Sequence, residues 1–377
     1  MGDLLITASF AEMARAISAL DKYETLFRAD ELTDEALERY GSLPIFMPGF
    51  SISANSYPRL YALRKKLGEI PHGLVPFGCT WQHPIGFAED AEQIAYTDET
   101  LKLLRLLVER TGPIAVRDHM AERILMRHSV PSIVVGDCGW YHLPSRGKPM
   151  RRPDAIRKII VTTPHSADLE EQSKSLINML LDLFPDAKIV LSLHSKPLQH
   201  EENITAYAQS KGMTVIHAFE NLAVFDNYEN YDLHVGHCLH GHIGFIRRRI
   251  PSVLLIEDAR ARGFSTSIPI GCFEAKATAI RRDNLAKQSL ALARQSVYPD
   301  EGIVPRIRDF LIQEMQSKFL RYVGIAPYLD GMLKEVALPQ LAQKVAMART
   351  AINPANSKKG WSPRASGPLR RIIRWFS

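Results

Sequence analysis

The 377-residue chain holds only 4 cysteines, Cys79, Cys138, Cys238 and Cys272, and no two of them form a CxxC pair. That removes zinc ribbons and dithiol redox motifs from consideration, and free thiols are the default expectation. The sequence has no Walker loop, no GxGxxG and no GxSxG elbow, so the familiar P-loop, dinucleotide and serine-hydrolase signatures are missing. No run approaches the ~18 apolar residues that a membrane span needs. The opening Met1-Gly2-Asp3-Leu4-Leu5 lacks the basic region and apolar core of a signal peptide, so a cytoplasmic location is expected. Acid is absent from residues 352–377, which carry Lys358, Lys359, Arg364, Arg370, Arg371 and Arg374. Those six cations account for the whole net charge of +6, so the body is neutral. A neutral body speaks against nucleic acid as a partner.

What is present is alternation. Strand-like runs at Tyr23–Phe27, Leu43–Met47, His72–Phe77, Pro113–Val116 and Pro131–Val135 are interleaved with helical patterns at Leu4–Leu20, Leu32–Arg39, Ser56–Leu67, Asp98–Arg110 and Asp118–Met126. The Pro-, Gly- and Arg-rich Trp140–Pro153 then breaks the pattern as a linker. Alternation resumes with strands at Lys158–Thr163, Lys188–Leu193, Met213–Ala218, Leu233–Gly236 and Val253–Ile256. Such order predicts parallel sheets covered by helices. The expected fold is α/β: two Rossmann-like domains facing a cleft, with a helical C-terminal extension, and the family resemblance set out below implies that the pair is GT-B-like. The expected boundaries are 1–145 (acceptor side), 154–275 (donor side), 276–350 (helical) and 351–377 (a basic, partly disordered tail). Leu369, Ile372, Ile373 and Phe376 share one face of a helical projection opposite Arg370, Arg371 and Arg374. This predicts either an interfacial membrane anchor over 369–377 or a terminal helix docked on the protein itself.

Candidate chemistry sits at strand ends. The segment Tyr231–His242 packs His234, His237, His240 and His242 together. Buried imidazoles are costly, and near neutral pH they suit acid–base work. A metal site is the obvious reading, but the spacing matches no established zinc pattern, and none is assigned. Arg117, at the end of a strand and followed by Asp118, suits an anion because its planar fork makes paired hydrogen bonds. The plainer reading is a local Arg117–Asp118 pair bracing the turn. His165 precedes a helix opened by Ser166, a site suited to anions, and His194 ends another strand. Glu257–Ser267 reads as an acidic-then-basic loop that holds Arg260 and Arg262 over an anion or simply balances its own charges. Trp81 and His83, in the loop Gly78–His83, would stack on or bond a sugar, or plug an interface.

Taken in order, Gly2-Asp3-Leu4-Leu5-Ile6, Val75-Pro76-Phe77-Gly78, Val116-Arg117-Asp118, Val135-Gly136-Asp137, His194, Leu239-His240-Gly241 and Ile250-Pro251 resemble the polysaccharide pyruvyl transferase family across about residues 2–275. The resemblance implies transfer of an enolpyruvyl unit from phosphoenolpyruvate to a sugar of a bacterial surface or exopolysaccharide, with no further cofactor. It implies His240 as general acid and Arg117 as anion clamp. His194, His165, Arg260 and Gly241 would then contact the donor, and Trp81 and His83 the acceptor; the tail separately predicts peripheral contact at the inner face of the plasma membrane, where lipid-linked glycans are assembled. Two departures stand out. Cys238 occupies the place where the family has Arg, and the strand that should precede Gly2-Asp3 is missing. Three other readings stay open: a GT-B glycosyltransferase using a nucleotide sugar, a non-catalytic membrane-associated glycan assembly factor, and a zinc hydrolase.

Overall fold

The computed structural model describes residues 2–19, 23–83, 93–220, 223–275, 300–352 and 372–376. In chain order the elements are α1 (Gly2–Ala16), β1 (Tyr23–Phe27), α2 (Asp34–Tyr40), β2 (Ile45–Pro48), β3 (Ser51–Ile52), β4 (Leu74–Phe77), β5 (Thr80–Trp81), α3 (Asp98–Thr111), β6 (Ile114–Val116), α4 (His119–Arg127) and β7 (Ser132–Val134). Then come β8 (Lys158–Thr162), α5 (Glu170–Leu183), β9 (Lys188–Leu193), α6 (Gln199–Ser210), β10 (Thr214–His217), β11 (Leu233–Gly236), α7 (Leu239–Ile246), β12 (Ser252–Ile256), α8 (Ala259–Ser267), β13 (Cys272–Glu274), α9 (Asp300–Gln316), α10 (Leu338–Ile352) and β14 (Ile372–Phe376). They form two compact units. One is centred on Pro144–Leu329, and the other on Ile6–His83, the stretch up to Leu143, and the segment from Asp330 onward. Both are α/β with parallel sheets, as the alternation predicts.

The discontinuous unit carries a sheet in the order β1-β14-β2-β4, all parallel. A bridge from Cys79 to Val116 continues it toward the β6–β7 pair. Helix α3 shows why the sequence folds as it does. Thr97 caps it by accepting from the Thr100 N–H, Asp98 and Glu99 face the positive end, and Gly112 at φ 75° ends it. Its Leu103, Leu104 and Leu107 are fully buried.

Two expectations fail in this unit. Ser56–Leu67 is not a regular helix: only Ser56–Leu60 makes a turn, and Tyr57 inside it is extended at φ −126°, ψ 136°. The cause is Pro58, whose ring disfavours helical geometry at the residue before it. The chain end is not an amphipathic helix either. Ile372–Phe376 is a strand that pairs in parallel with β1 on one side and β2 on the other. A short run of Ile, Ile, Trp and Phe has strong β propensity, and two parallel neighbours can satisfy its backbone on both sides. The helical face required by the anchor reading is therefore not formed. The basic stretch 353–371 and residues 276–299 lie outside the described residues. Among the described residues no helix is long and apolar enough to cross a membrane.

The contiguous unit holds a six-stranded parallel sheet in the order β10-β9-β8-β11-β12-β13. Its strands β8, β11 and β12 are almost entirely buried, as strands covered on both faces must be. Strand β13 and helices α6 and α8 were not foreseen. In α8 the charged run after Glu257 reads as loop, yet Asp258 caps it by accepting from the Ala261 N–H.

Helix α10 is pinned to the discontinuous unit by a buried cation. Lys344 is 1% exposed and donates to the carbonyls of Thr111 at 2.9 Å and Pro113 at 2.6 Å. Replacing Lys344 with Met should leave two buried carbonyls without donors and cost about 2 kcal/mol. Urea unfolding of Lys344→Met checks this, and an unchanged midpoint would refute it.

Candidate functional site

In the six-stranded sheet the chain runs outward from β8 through β9 to β10, then returns to the other side of β8 as β11. At such a reversal the loops leaving the two central strands turn opposite ways and open a crevice at their carboxyl ends, where ligands bind in open α/β sheets. Here the crevice is flanked by Thr163–Ser166 after β8 and by His237–Gly241 after β11. Helix α7 begins at its rim. Gly241 sits where a β-carbon would come within 2.9 Å of Thr162 Cγ2 and 3.0 Å of His234 Nε2, so only glycine lets the helix start press this close to β8.

The histidine cluster is an internal network. Thr162 Oγ1 accepts from the Cys238 N–H at 3.2 Å and lies 2.9 Å from His234 Nε2. His234 Nδ1 is 2.7 Å from Ser252 Oγ, which is 2.7 Å from His242 Nδ1. His237 Nε2 faces Gln172 Oε1 at 3.3 Å, and His194 Nε2 lies 2.6 Å from Tyr228 Oη. Burial drives the pKa of His194, His237 and His242 down to about 3 each, and that of His234 well below its ordinary value. These imidazoles are neutral at pH 7 and serve as hydrogen-bonding spacers. Among the described residues no group of three or more His, Cys, Asp or Glu is arranged to hold a metal ion.

Charge gathers at the rim. The Glu257 carboxyl accepts from the backbone N–H groups of His165 at 3.0 Å and Ser166 at 3.3 Å. Burial, aided by the neighbouring charge of Asp258, lifts its pKa to about 8. Asp258 behaves oppositely. Burial opposes its ionisation, but Arg260 and the Ala261 N–H outweigh that and hold its pKa at about 2. Arg260 makes two contacts with Asp258 Oδ2, at 2.9 and 2.6 Å. Glu201, 1% exposed, accepts from Thr163 Oγ1 at 2.8 Å and from the Leu198 N–H at 3.0 Å, tying the loops after β8 and β9 together. Thus carboxylates already occupy the N–H groups at His165 and at the start of α8. At the start of α7 the N-cap is Cys238, whose side chain makes no capping bond but whose buried sulfur faces the backbone N–H groups of His240 and Gly241. Burial raises its thiol to about 11.

The structure brings together some of the residues singled out in the sequence and separates others. His165, His194, His240, Gly241 and Arg260 all belong to the crevice of the contiguous unit. His165 is exposed, and His240, the second residue of α7, is half-buried. Arg117, Trp81 and His83 belong to the other unit. Arg117 is 2% exposed; its Nε donates to Asp118 Oδ2 at 3.0 Å, and a terminal nitrogen lies 3.5 Å from Asp137 Oδ2. Its guanidinium thus braces a strand end between two carboxylates, which is the plainer of the two readings. Trp81 is fully buried and stacks at 6.1 Å on half-buried His83, so its ring fills core and offers no platform for a sugar. Sequence reasoning missed Thr162, Glu201 and Glu257. A hydroxyl or carboxylate within two residues of a strand's carboxyl end was the available signal.

No family model matches the chain, and no curated protein matches it. Solved structures do. A structure of accessory secretory proteins 1, 2 and 3 from Streptococcus pneumoniae aligns at 11% identity and TM-score 0.36, covering 80% of this chain and 55% of that one. Staphylococcus aureus TarM, in complex with Fondaparinux, alpha-GlcNAc-glycerol and UDP, aligns at 12% identity and TM-score 0.35, covering 73% and 55%. An apo structure of OtsA aligns at 11% identity and TM-score 0.39, covering 88% and 79%. The chain therefore spans about half the length of the first two. The expected membership of the polysaccharide pyruvyl transferases, and with it transfer from phosphoenolpyruvate, is corrected by these findings: no family model supports it, and none of these neighbours is a pyruvyl transferase.

The neutral histidines have a measurable consequence. As pH falls below about 6.5 the unfolded chain takes up protons that the folded chain refuses until about pH 3. Stability is therefore lost on acidification across that window, by about 2 kcal/mol per histidine between pH 7 and pH 5. In His242→Gln the loss over that interval should shrink by about 2 kcal/mol. Urea unfolding of both proteins at the two pH values checks this, and equal losses would mean that His242 titrates normally.

Proposed function

We propose that the chain is a glycosyltransferase of the GT-B type that uses a nucleotide-sugar donor, with the donor's diphosphate held at the start of α7. One observation carries this reading: the strand order reverses between β8 and β11, and the helix that begins at the reversal lacks the carboxylate cap that Asp258 gives α8. Helix N-termini favour anions because their leading N–H groups are unpaired and the peptide dipoles add up. Arg260, at the start of α8, supplies a cation beside them.

The chemistry follows from the charges. An acceptor hydroxyl attacks the anomeric carbon of the donor sugar, and the bond from that carbon to the diphosphate oxygen breaks. The departing diphosphate gains negative charge as it leaves, and donors that meet charge only as it develops lower the barrier. The α7 N–H groups and Arg260 would do this, with His240 beside them on the first turn. His194 and Gly241 act by shape: neutral, tightly packed groups let backbone N–H atoms approach the phosphates.

Melting curves with a panel of nucleoside diphosphates test the reading. A binder at about 100 times its Kd should add about 2.7 kcal/mol of stability, and Arg260→Ala should weaken its affinity about tenfold. Stabilisation by phosphoenolpyruvate but by none of the diphosphates, or by no compound of either kind, would overturn the proposal.

A further inference from the structure

A second cavity in the contiguous unit lies beside the edge strand β13, between α8 and the first turns of α9. Its volume is about 260 Å³. Ile256, Phe273 and Ile303 give it apolar walls, and Arg262, Ser265 and Glu274 give it a polar edge. Whole ligand sites run roughly 300–1,000 Å³, so this space suits a single ring system and not a complete nucleotide. The walls are built: Ile303 is 3% and Ile256 is 4% exposed, and Phe273 is held edge-on against Phe310 at 5.3 Å.

The polar edge carries both hydrogen-bonding senses. Arg262 donates to Glu274, and its Nε has no hydrogen-bond partner among the described residues. A flat heteroaromatic ring between apolar walls, offering a ring N–H to the carboxylate and an acceptor atom to the guanidinium, satisfies both. Position points the same way. Strands β11, β12 and β13 are consecutive neighbours, so the cavity lies two ladder spacings, roughly 10 Å, from the end of β11 where α7 begins. That separation is the reach of a ribose and a diphosphate. Arg260 stands on the intervening helix start.

We propose that this cavity is the base subsite of the donor, receiving the heteroaromatic base of a nucleoside diphosphate whose phosphates lie at the start of α7. This rests on the glycosyltransferase reading and adds to it the place and chemistry of base selection: Arg262 and Glu274 read the base edge, and Ile256, Phe273 and Ile303 exclude water from its faces.

Calorimetric titration with UDP, GDP, ADP and CDP tests it on three proteins. The wild type should bind one of them more tightly than the rest. Ser265→Phe, which fills the cavity, and Arg262→Ala, which keeps it open but removes the donor, should each weaken that nucleotide by about tenfold or more. Arg262→Ala should also narrow the preference among bases, an effect that general loosening of the fold would not produce. If the wild type binds none of the four, the glycosyltransferase reading falls and the subsite with it. If the wild type binds and both variants bind equally well with the same preference, the subsite alone is wrong.

Discussion

Much of the crevice geometry depends on how closely Thr162 approaches β11. A β-carbon at position 236 would collide with Thr162 Oγ1 and with its backbone. With glycine there, the threonine hydroxyl reaches both the Cys238 N–H and the His234 ring. One hydroxyl thereby fixes the last residue of β8, the imidazole on β11 and the turn that starts α7.

Around that crevice the protein sets ionisation by burial and pairing. The imidazoles are taken out of water and kept neutral, so they fill space and bridge strands without adding charge. The adjacent acids Glu257 and Asp258 are driven in opposite directions, one buried and one paired with Arg260. Arg260 thus keeps its charge beside an ionised partner, Asp258, while the histidines behind it carry none. An interior of charged histidines would have spread positive potential through the sheet.

Sequence reading captured the parallel α/β architecture because β strands such as Ile159–Val161 and Val253–Ile256 are apolar on both faces and follow one another with short connections. It captured α3 because Leu101, Leu104 and Val108 recur at helical spacing, and α4 because Asp118 is a cap in the place where a cap belongs. It lost α8 because Arg260 and Arg262 obscured helical periodicity and the cap Asp258 passed for one more loop charge. It could not name the partners of the clustered histidines, for a different reason. His234 and Ser252 are partners only through the parallel register of β11 and β12, and register across a ladder cannot be read from local spacing. The short Leu239-His240-Gly241 match misled because a glycine at a tight helix start is demanded by packing alone. The true surroundings of Trp81 and Arg117 were equally hidden, since both are polar-tipped groups at strand ends whose burial is decided by distant chain.

The placement of α10 bears on how the chain is made. Its Lys344 closes onto Thr111 and Pro113, more than two hundred residues earlier. Most of the contiguous unit comes from Pro144–Leu329, whereas the other unit takes its last pieces from Asp330 onward. Domains emerging from synthesis usually fold in order from the N-terminus. Here strands β2 and β4 are synthesised long before two of the elements they pack with, the strand β14 that pairs with β2 and the helix α10 that lies against β4.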